Sequence, residues 1–134
     1  MLAWDRTTAA GAALLAALLL GGCGKPSNVT VTGTILQGDK PIAVSSTGVV
    51  QVTLKPDVPE GMEFTTYVGR CDPGTGQFEV LDVPPGKYKV GIEQLDPTPQ
   101  QDKLQGAHSV NSTKIIREID GKSPLVIDLA RPGT

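Results

Sequence analysis

Apolar and polar residues alternate along several short segments of the chain, and the clearest case is 29–36. There, Val29, Val31 and Ile35 fall on one face, and the intervening threonines fall on the other. Alternation with a period of two is typical of a β-strand with one buried face. Similar β-rich runs predict further strands at 49–55, 62–71, 77–80, 87–93, 113–119 and 125–129.

Clusters of Gly, Pro, Asp and Asn separate these segments, as expected for turns between short strands. The longest irregular stretch is 96–112, and Asp120-Gly121 predicts a hairpin between the last two strands. The segments after residue 28 show no sustained helical periodicity. We therefore expect an all-β fold, in the form of a seven-stranded antiparallel β-sandwich.

The N-terminal segment has a different pattern. Residues 9–20 contain only Ala, Gly and Leu, and they lead directly into Leu20-Gly21-Gly22-Cys23. A bilayer-spanning helix needs about 20 apolar residues, so this run suits the apolar region of a signal peptide instead. Small residues before a cysteine form a lipobox. We expect cleavage of 1–22, lipidation of Cys23, a tether at 23–28 and a domain at 29–131.

These features predict an exported lipoprotein anchored to a bacterial cell envelope through Cys23. Gly24, rather than an aspartate, follows the cysteine, which favours the outer membrane over the inner one. One feature departs from the pattern, because Asp5 offsets Arg6, the only cation before the apolar run. The alternative interpretations are a plain secretory signal and a cytosolic protein with an unusual N-terminus.

Composition narrows the expected partners. The chain has 134 residues and a net charge of −2, with lysines and acids interspersed. It therefore lacks the basic patch that nucleic-acid binding requires. We expect the membrane to be contacted through the lipid at Cys23, together with an unidentified envelope protein or glycan.

Cys71 is the only thiol that remains once Cys23 carries lipid, so no disulfide can form within the mature chain. The simplest interpretation is that Cys71 is a small buried hydrophobic residue. An intermolecular disulfide and a reactive thiol are the alternatives.

Three segments resemble the carboxypeptidase-regulatory-like domains. They are Val31-Thr-Gly-Thr-Ile-Leu-Gln-Gly-Asp-Lys-Pro-Ile42, Gly76-Gln-Phe-Glu-Val80 and Val83-Pro-Pro-Gly-Lys-Tyr-Lys-Val90. Together with Cys23-Gly-Lys-Pro26, the chain is similar to the small lipoproteins of planctomycetes. The resemblance covers about 29–130. It implies a prealbumin-like (transthyretin-like) sandwich that serves as a non-catalytic accessory domain.

In such a domain, the matched positions have structural roles. Phe78 would anchor the core, and Gly86 would complete a tight turn with Pro84-Pro85. The hydroxyl of Tyr88 would satisfy a loop backbone group, as in a tyrosine corner.

Residues with catalytic or metal-binding chemistry are sparse. His108 is the only histidine, which excludes the usual zinc ligand sets, and we expect it to be a loop residue. A different branch of transthyretin-like proteins hydrolyses 5-hydroxyisourate with histidines, an arginine and a Tyr-Arg-Gly-Ser tail. This chain ends in Arg131-Pro-Gly-Thr134 instead.

Four acidic residues lie near predicted turns, where they could bind calcium or, more simply, begin the turns. They are Asp72, Glu79, Asp82 and Asp96.

We therefore expect no enzyme activity, catalytic residue, cofactor or metal site. The predicted function is a structural or protein-interaction module on a membrane anchor. The alternatives are a surface module that binds carbohydrate or peptide and a calcium-dependent adhesin.

Overall fold

The computed structural model describes residues 27–72, 74–98 and 101–132, and these form strands and no helix. The seven strands are β1 (Val29–Leu36), β2 (Val49–Pro56), β3 (Tyr67–Cys71), β4 (Gln77–Val83), β5 (Gly86–Leu95), β6 (Ile116–Ile119) and β7 (Leu125–Asp128). The all-β prediction is confirmed. Residues 62–66 and 113–115, which we expected to be strand, belong to connections instead.

The described strands form one curled, mixed sheet in the order β6-β5-β2-β3-β4-β1-β7. Five neighbouring pairs are antiparallel, but β1 and β7 are parallel. The expectation of a wholly antiparallel arrangement is therefore wrong at this pair. The physical reason is that residues 120–124 carry the chain from β6 at one edge to β7 at the other.

The predicted hairpin at Asp120-Gly121 is also wrong, although a turn is present there. Gly121 has a φ of 73°, which suits glycine. A Cβ at this position would lie 2.6 Å from Val29 Cγ1 of β1. Because so few residues connect the two edge strands, the sheet must curl until its edges approach each other.

The core lies inside the curl and is built from the alternating residues that the sequence identified. On β2, for example, Val50, Val52 and Leu54 are buried, as predicted. Ile42 and Ile115 are also fully buried but lie in connections. Apolar side chains from irregular segments thus close the core along with those of the strands.

The strand directions give the sheet two distinct ends. Val29 pairs with Val83, Pro56 pairs with Tyr88, and Gly86 pairs with Ile119. We call this end, where β1 begins, the N-terminal end. It carries the β2–β3 (57–66), β4–β5 (84–85) and β6–β7 (120–124) connections. The opposite, distal end carries the β1–β2 (37–48) and β3–β4 (72–76) connections and the start of the β5–β6 connection (96–115).

The β5–β6 connection returns along the outer edge of β5 rather than looping into solvent. The amide of Ile92 donates to the His108 carbonyl at 2.6 Å, and the amide of Val90 donates to the Ile115 carbonyl at 2.9 Å. At Gly91, a Cβ would lie 2.7 Å from the amide nitrogen of Val110. Glycine therefore allows this connection to pack closely on β5.

Candidate functional site

The predicted lipidation site, Cys23, lies outside the described residues. The described chain begins at Ser27, and β1 begins at Val29, six positions after Cys23. Any tether from Cys23 therefore enters the fold at the N-terminal end of the sheet. Among the described residues, the structure contains no helix with the length and apolar character needed to span a membrane.

A groove of about 350 Å³ lies at this N-terminal end, over β2 and β5. Its base includes Lys55 and Lys89, which are paired in register across the two strands. One wall comes from the β2–β3 connection, and the other comes from the β5–β6 connection. The wall side chains are Val58, Met62 and Phe64 on one side and Val110 and Asn111 on the other.

Electrostatic contacts hold the first wall against the strands. Lys55 Nζ lies 4.6 Å from the centroid of the Phe64 ring, which is the geometry of a cation–π interaction. Lys87 Nζ lies 3.8 Å from Asp57 Oδ2, and the Asp57 amide donates to the Lys87 carbonyl at 2.9 Å. The described lining combines apolar side chains with Lys55, Lys89 and Glu60. The groove therefore offers apolar contact beside charges of both signs.

At the distal end, the carboxylate of Asp96 joins two connections. Asp96 is 6% exposed; it accepts hydrogen bonds from the Ser45 amide at 2.9 Å and from the Ser45 hydroxyl. Lys103 Nζ lies 3.4 Å from the same carboxylate. The hydrogen bonds from the Ser45 hydroxyl and amide lower the pKa of Asp96, and Lys103 adds to this effect. Asp96 thus fixes the β1–β2 connection to the β5–β6 connection.

Asp128 makes a second such clamp. Its Oδ1 accepts the amides of Gly38 at 3.0 Å and Ala130 at 2.9 Å, and these bonds lower the pKa of Asp128. Arg131 Nη2 lies 3.2 Å from Asp128 Oδ2 and 2.7 Å from Asp39 Oδ1. The chain after β7 is therefore fixed to the β1–β2 connection. Both carboxylates are satisfied by the protein itself, so we assign them a role in ordering the distal connections.

The three residues given structural roles by the resemblance lie on β4 and β5. Phe78 and Tyr88 are each 4% exposed. Tyr88 Oη donates to the Pro84 carbonyl at 2.5 Å, and this carbonyl is a loop backbone group of the kind that the resemblance implies. Its ring meets Tyr67 edge to face with centroids 6.2 Å apart, and burial raises the pKa of Tyr88. Gly86 has a φ of 151°, which L side chains rarely adopt.

Cys71 ends β3 with its side chain buried. Burial raises the pKa of the Cys71 thiol to about 12, so the thiol is protonated at neutral pH. The prediction of a buried residue is confirmed, and the low thiolate population argues against a reactive thiol. His108, as expected, lies in a connection.

The four acids considered for calcium do not form a cluster. Asp72 Oδ2 accepts the Thr75 hydroxyl at 3.3 Å within a turn, whereas Asp96 is held by Ser45. Asp82 lies near the N-terminal end with a φ of 55°, and Glu79 pairs in register with Arg70 on the sheet. Among the described His, Cys, Asp and Glu side chains, no three come close enough together to hold a metal ion.

Sequence reasoning missed the groove and both carboxylate clamps. The sequence feature that could have indicated the groove is the irregular order of apolar and polar residues over 62–71, because a segment without alternation need not form a single strand. The pattern Asp96-Pro97 predicts the start of a turn and gives no indication of a partner as distant in sequence as Ser45.

Comparison of the chain with protein families, with curated proteins and with solved structures finds no match.

Proposed function

We propose that the chain is a lipid-anchored protein of a bacterial cell envelope, attached through Cys23 and presenting a structural or protein-interaction module. The observation that carries this proposal is Leu20-Gly21-Gly22-Cys23 at the end of an apolar run. The start of β1 six positions later supports it, because the motif then precedes a folded domain by a short tether. The outer membrane is the proposed destination, since Gly24 follows the cysteine.

For the fold, we propose a prealbumin-like sandwich of the carboxypeptidase-regulatory-like type. The positions of the matched motifs support this. One covers β1 and the turn after it, another spans the start of β4, and the third contains the β4–β5 turn and the hydrogen-bonded Tyr88. In this proposal, the domain is an accessory unit without catalytic activity, and the burial of Cys71 is consistent with that role.

A distal interaction surface completes the proposal. The β1–β2, β3–β4 and β5–β6 connections reach the end opposite the tether, and Asp96 and Asp128 hold two of them in place. Ordered loops lose less conformational entropy on binding, which favours recognition of an envelope protein.

Carbohydrate binding is less well supported than protein binding. Sugar sites commonly use exposed aromatic rings, but Phe78 and Tyr88 are buried and Tyr67 packs on Tyr88. Of the aromatics in the described residues, this leaves Phe64, and Lys55 lies over its ring.

Metabolic labelling with a clickable fatty-acid analogue tests the anchor. The wild-type chain should incorporate the label and fractionate with membranes, whereas Cys23→Ser should do neither. Cys71→Ala is the matched control, because it removes the other cysteine and should leave labelling intact. Equal labelling of wild type and Cys23→Ser would refute the anchor.

A further inference from the structure

The β2–β3 connection exposes three large apolar side chains close together in the sequence. The exposed fractions are 36% for Val58, 56% for Met62 and 48% for Phe64. Single exposed apolar residues are ordinary on protein surfaces, but neighbouring ones often mark a contact surface. We refer to these three residues as the apolar loop.

The apolar loop lies at the same end of the sheet as the start of β1. The loop follows Pro56 at the end of β2, and Pro56 pairs with Tyr88 near the start of β5. The start of β5 pairs in turn with Ile119, at the end of β6. Cys23 is six positions from Val29. A fully extended tether of that length spans about 20 Å, so lipid at Cys23 would hold this end of the domain close to the bilayer.

The charges around the apolar loop balance one another. Lys55 and Lys87 lie beside it on β2 and β5, with Lys89 in the same groove, and the connection itself contributes Asp57, Glu60 and Glu63. Lys87 is paired with Asp57, and Lys55 contacts the Phe64 ring. A surface of this kind has little attraction for anionic lipid, and apolar contact would have to dominate any association with a membrane.

We propose that the apolar loop docks on the bilayer to which the chain is tethered, inserting Met62 and Phe64 at the level of the lipid headgroups. This inference rests on the proposed lipid anchor at Cys23. Because the tether is short, the apolar loop stays close to the bilayer and meets it as if the two belonged to one molecule. Even a weak apolar contact between them is then populated. Long side chains such as Lys55 and Lys89 can keep their ammonium groups in water while their stems lie along the apolar surface. The docked domain directs its distal connections away from the membrane.

Tryptophan fluorescence tests this orientation directly. The only tryptophan of the chain, Trp4, lies in the segment predicted to be removed, so Phe64→Trp places a single reporter in the processed protein. The processed, lipidated protein is extracted in detergent and reconstituted into phosphatidylcholine vesicles, with and without brominated acyl chains. Val126→Trp is the matched control, because Val126 is 60% exposed on β7, away from the N-terminal end.

We expect blue-shifted emission and quenching by brominated lipid for Phe64→Trp and neither effect for Val126→Trp. Adding phosphatidylglycerol should leave the quenching of Phe64→Trp unchanged. Absence of quenching, equal quenching of the two variants, or quenching that requires phosphatidylglycerol would overturn the proposal. A blue shift that grows with protein density without bromine quenching would indicate a second copy of the chain on the loop and would also overturn it.

Two further measurements keep the outcomes separate. If circular dichroism shows that Phe64→Trp does not fold, Met62→Trp takes its place, since Met62 is more exposed. Flotation of the wild-type protein with the vesicles reports on the anchor alone. A protein that fails to float refutes the lipid anchor, whereas one that floats without quenching refutes only the docking of the loop.

Discussion

At the scale of single residues, Phe78 and Gly33 depend on each other. They are paired across β1 and β4, and a Cβ on Gly33 would lie 2.6 Å from Phe78 Cζ and would also collide with the Leu125 carbonyl oxygen. The ring thus fills space that only a glycine on the neighbouring strand leaves open. Removing the ring would leave a cavity beside backbone that cannot easily collapse into it.

Phe78→Ala should therefore lower the free energy of unfolding by about 3–5 kcal/mol, a large part of the roughly 5–15 kcal/mol available to a small domain. Denaturant titration followed by circular dichroism measures this loss. Leu81→Ala on the same strand is the control, because Leu81 is 61% exposed and its truncation should change stability little. Similar losses from both variants would show that Phe78 does not anchor the core.

The burial of Cys71 predicts a slow reaction with thiol reagents. In a Cys23→Ser background, the folded protein should react with Ellman's reagent only in step with unfolding, because little thiolate forms at neutral pH. Val68→Cys on the same strand is a suitable comparison, since Val68 is 53% exposed and its thiol should react at once. Fast modification of Cys71 in folded protein would contradict the structure.

The lowered pKa values of Asp96 and Asp128 predict a loss of stability in acid. Because the folded state holds these carboxylates ionised, the unfolded state takes up more protons as the pH falls below about 4. Their contribution is complete above the ordinary aspartate pKa and is lost as the pH falls through the folded-state values. Thermal melts from pH 7 downwards should show this decrease.

Asp96→Asn should lower the melting temperature at neutral pH and make its fall in acid less steep. Asp82→Asn is the control, because Asp82 is exposed and asparagine tolerates its positive φ. An unchanged acid profile in Asp96→Asn would mean that the clamp with Ser45 does not contribute to stability.

At the scale of elements, the sequence predicts strands well and their partners poorly. The alternation in β1 and β2 is local and survives in the structure, with Val31, Ile35 and Val52 buried as expected. The position of β7 beside β1 depends on contacts between residues that are distant in sequence. A turn signal at Gly121 cannot specify whether the strand after the turn pairs with the strand before it. The same limit applies to Ile42 and Ile115, which are buried by tertiary packing outside any periodic segment.

The packing of the β5–β6 connection on Gly91 gives a prediction at this scale. Gly91→Ala should displace the connection near Val110, since the added methyl group would lie 2.7 Å from its amide nitrogen. The Ile92 amide, bonded to the His108 carbonyl, should then exchange its hydrogen faster. Thr53→Ala, at the position paired with Gly91 on β2, should leave that exchange unchanged. Unaltered protection in both variants would refute close packing.

At the scale of the whole molecule, one core supports the fold. The buried apolar side chains come from all seven described strands, from two connections and from Leu129 after β7, and the described cysteine is unpaired. A chain of about 110 residues can bury enough apolar surface to offset its conformational entropy.

Residues 26–134 should therefore give a β-type circular dichroism spectrum that neither a chelator nor a reductant changes. Loss of structure with a chelator would point to bound calcium. Loss with a reductant would mean that Cys71 pairs between chains and that the folded unit is a dimer.

The interior position of β1 has a mechanical consequence. This strand is the first after the tether, and it is hydrogen-bonded to β4 on one side and to β7 on the other. A pulling force between an anchored Cys23 and a partner held at the distal end would act along the axis of β1. The force would shear the hydrogen bonds that join β1 to β4 and to β7, so that many of these bonds would have to break at the same time. A force that peels away an edge strand breaks its hydrogen bonds one after another instead. The domain would thus join its anchor through the strand best placed to bear tension.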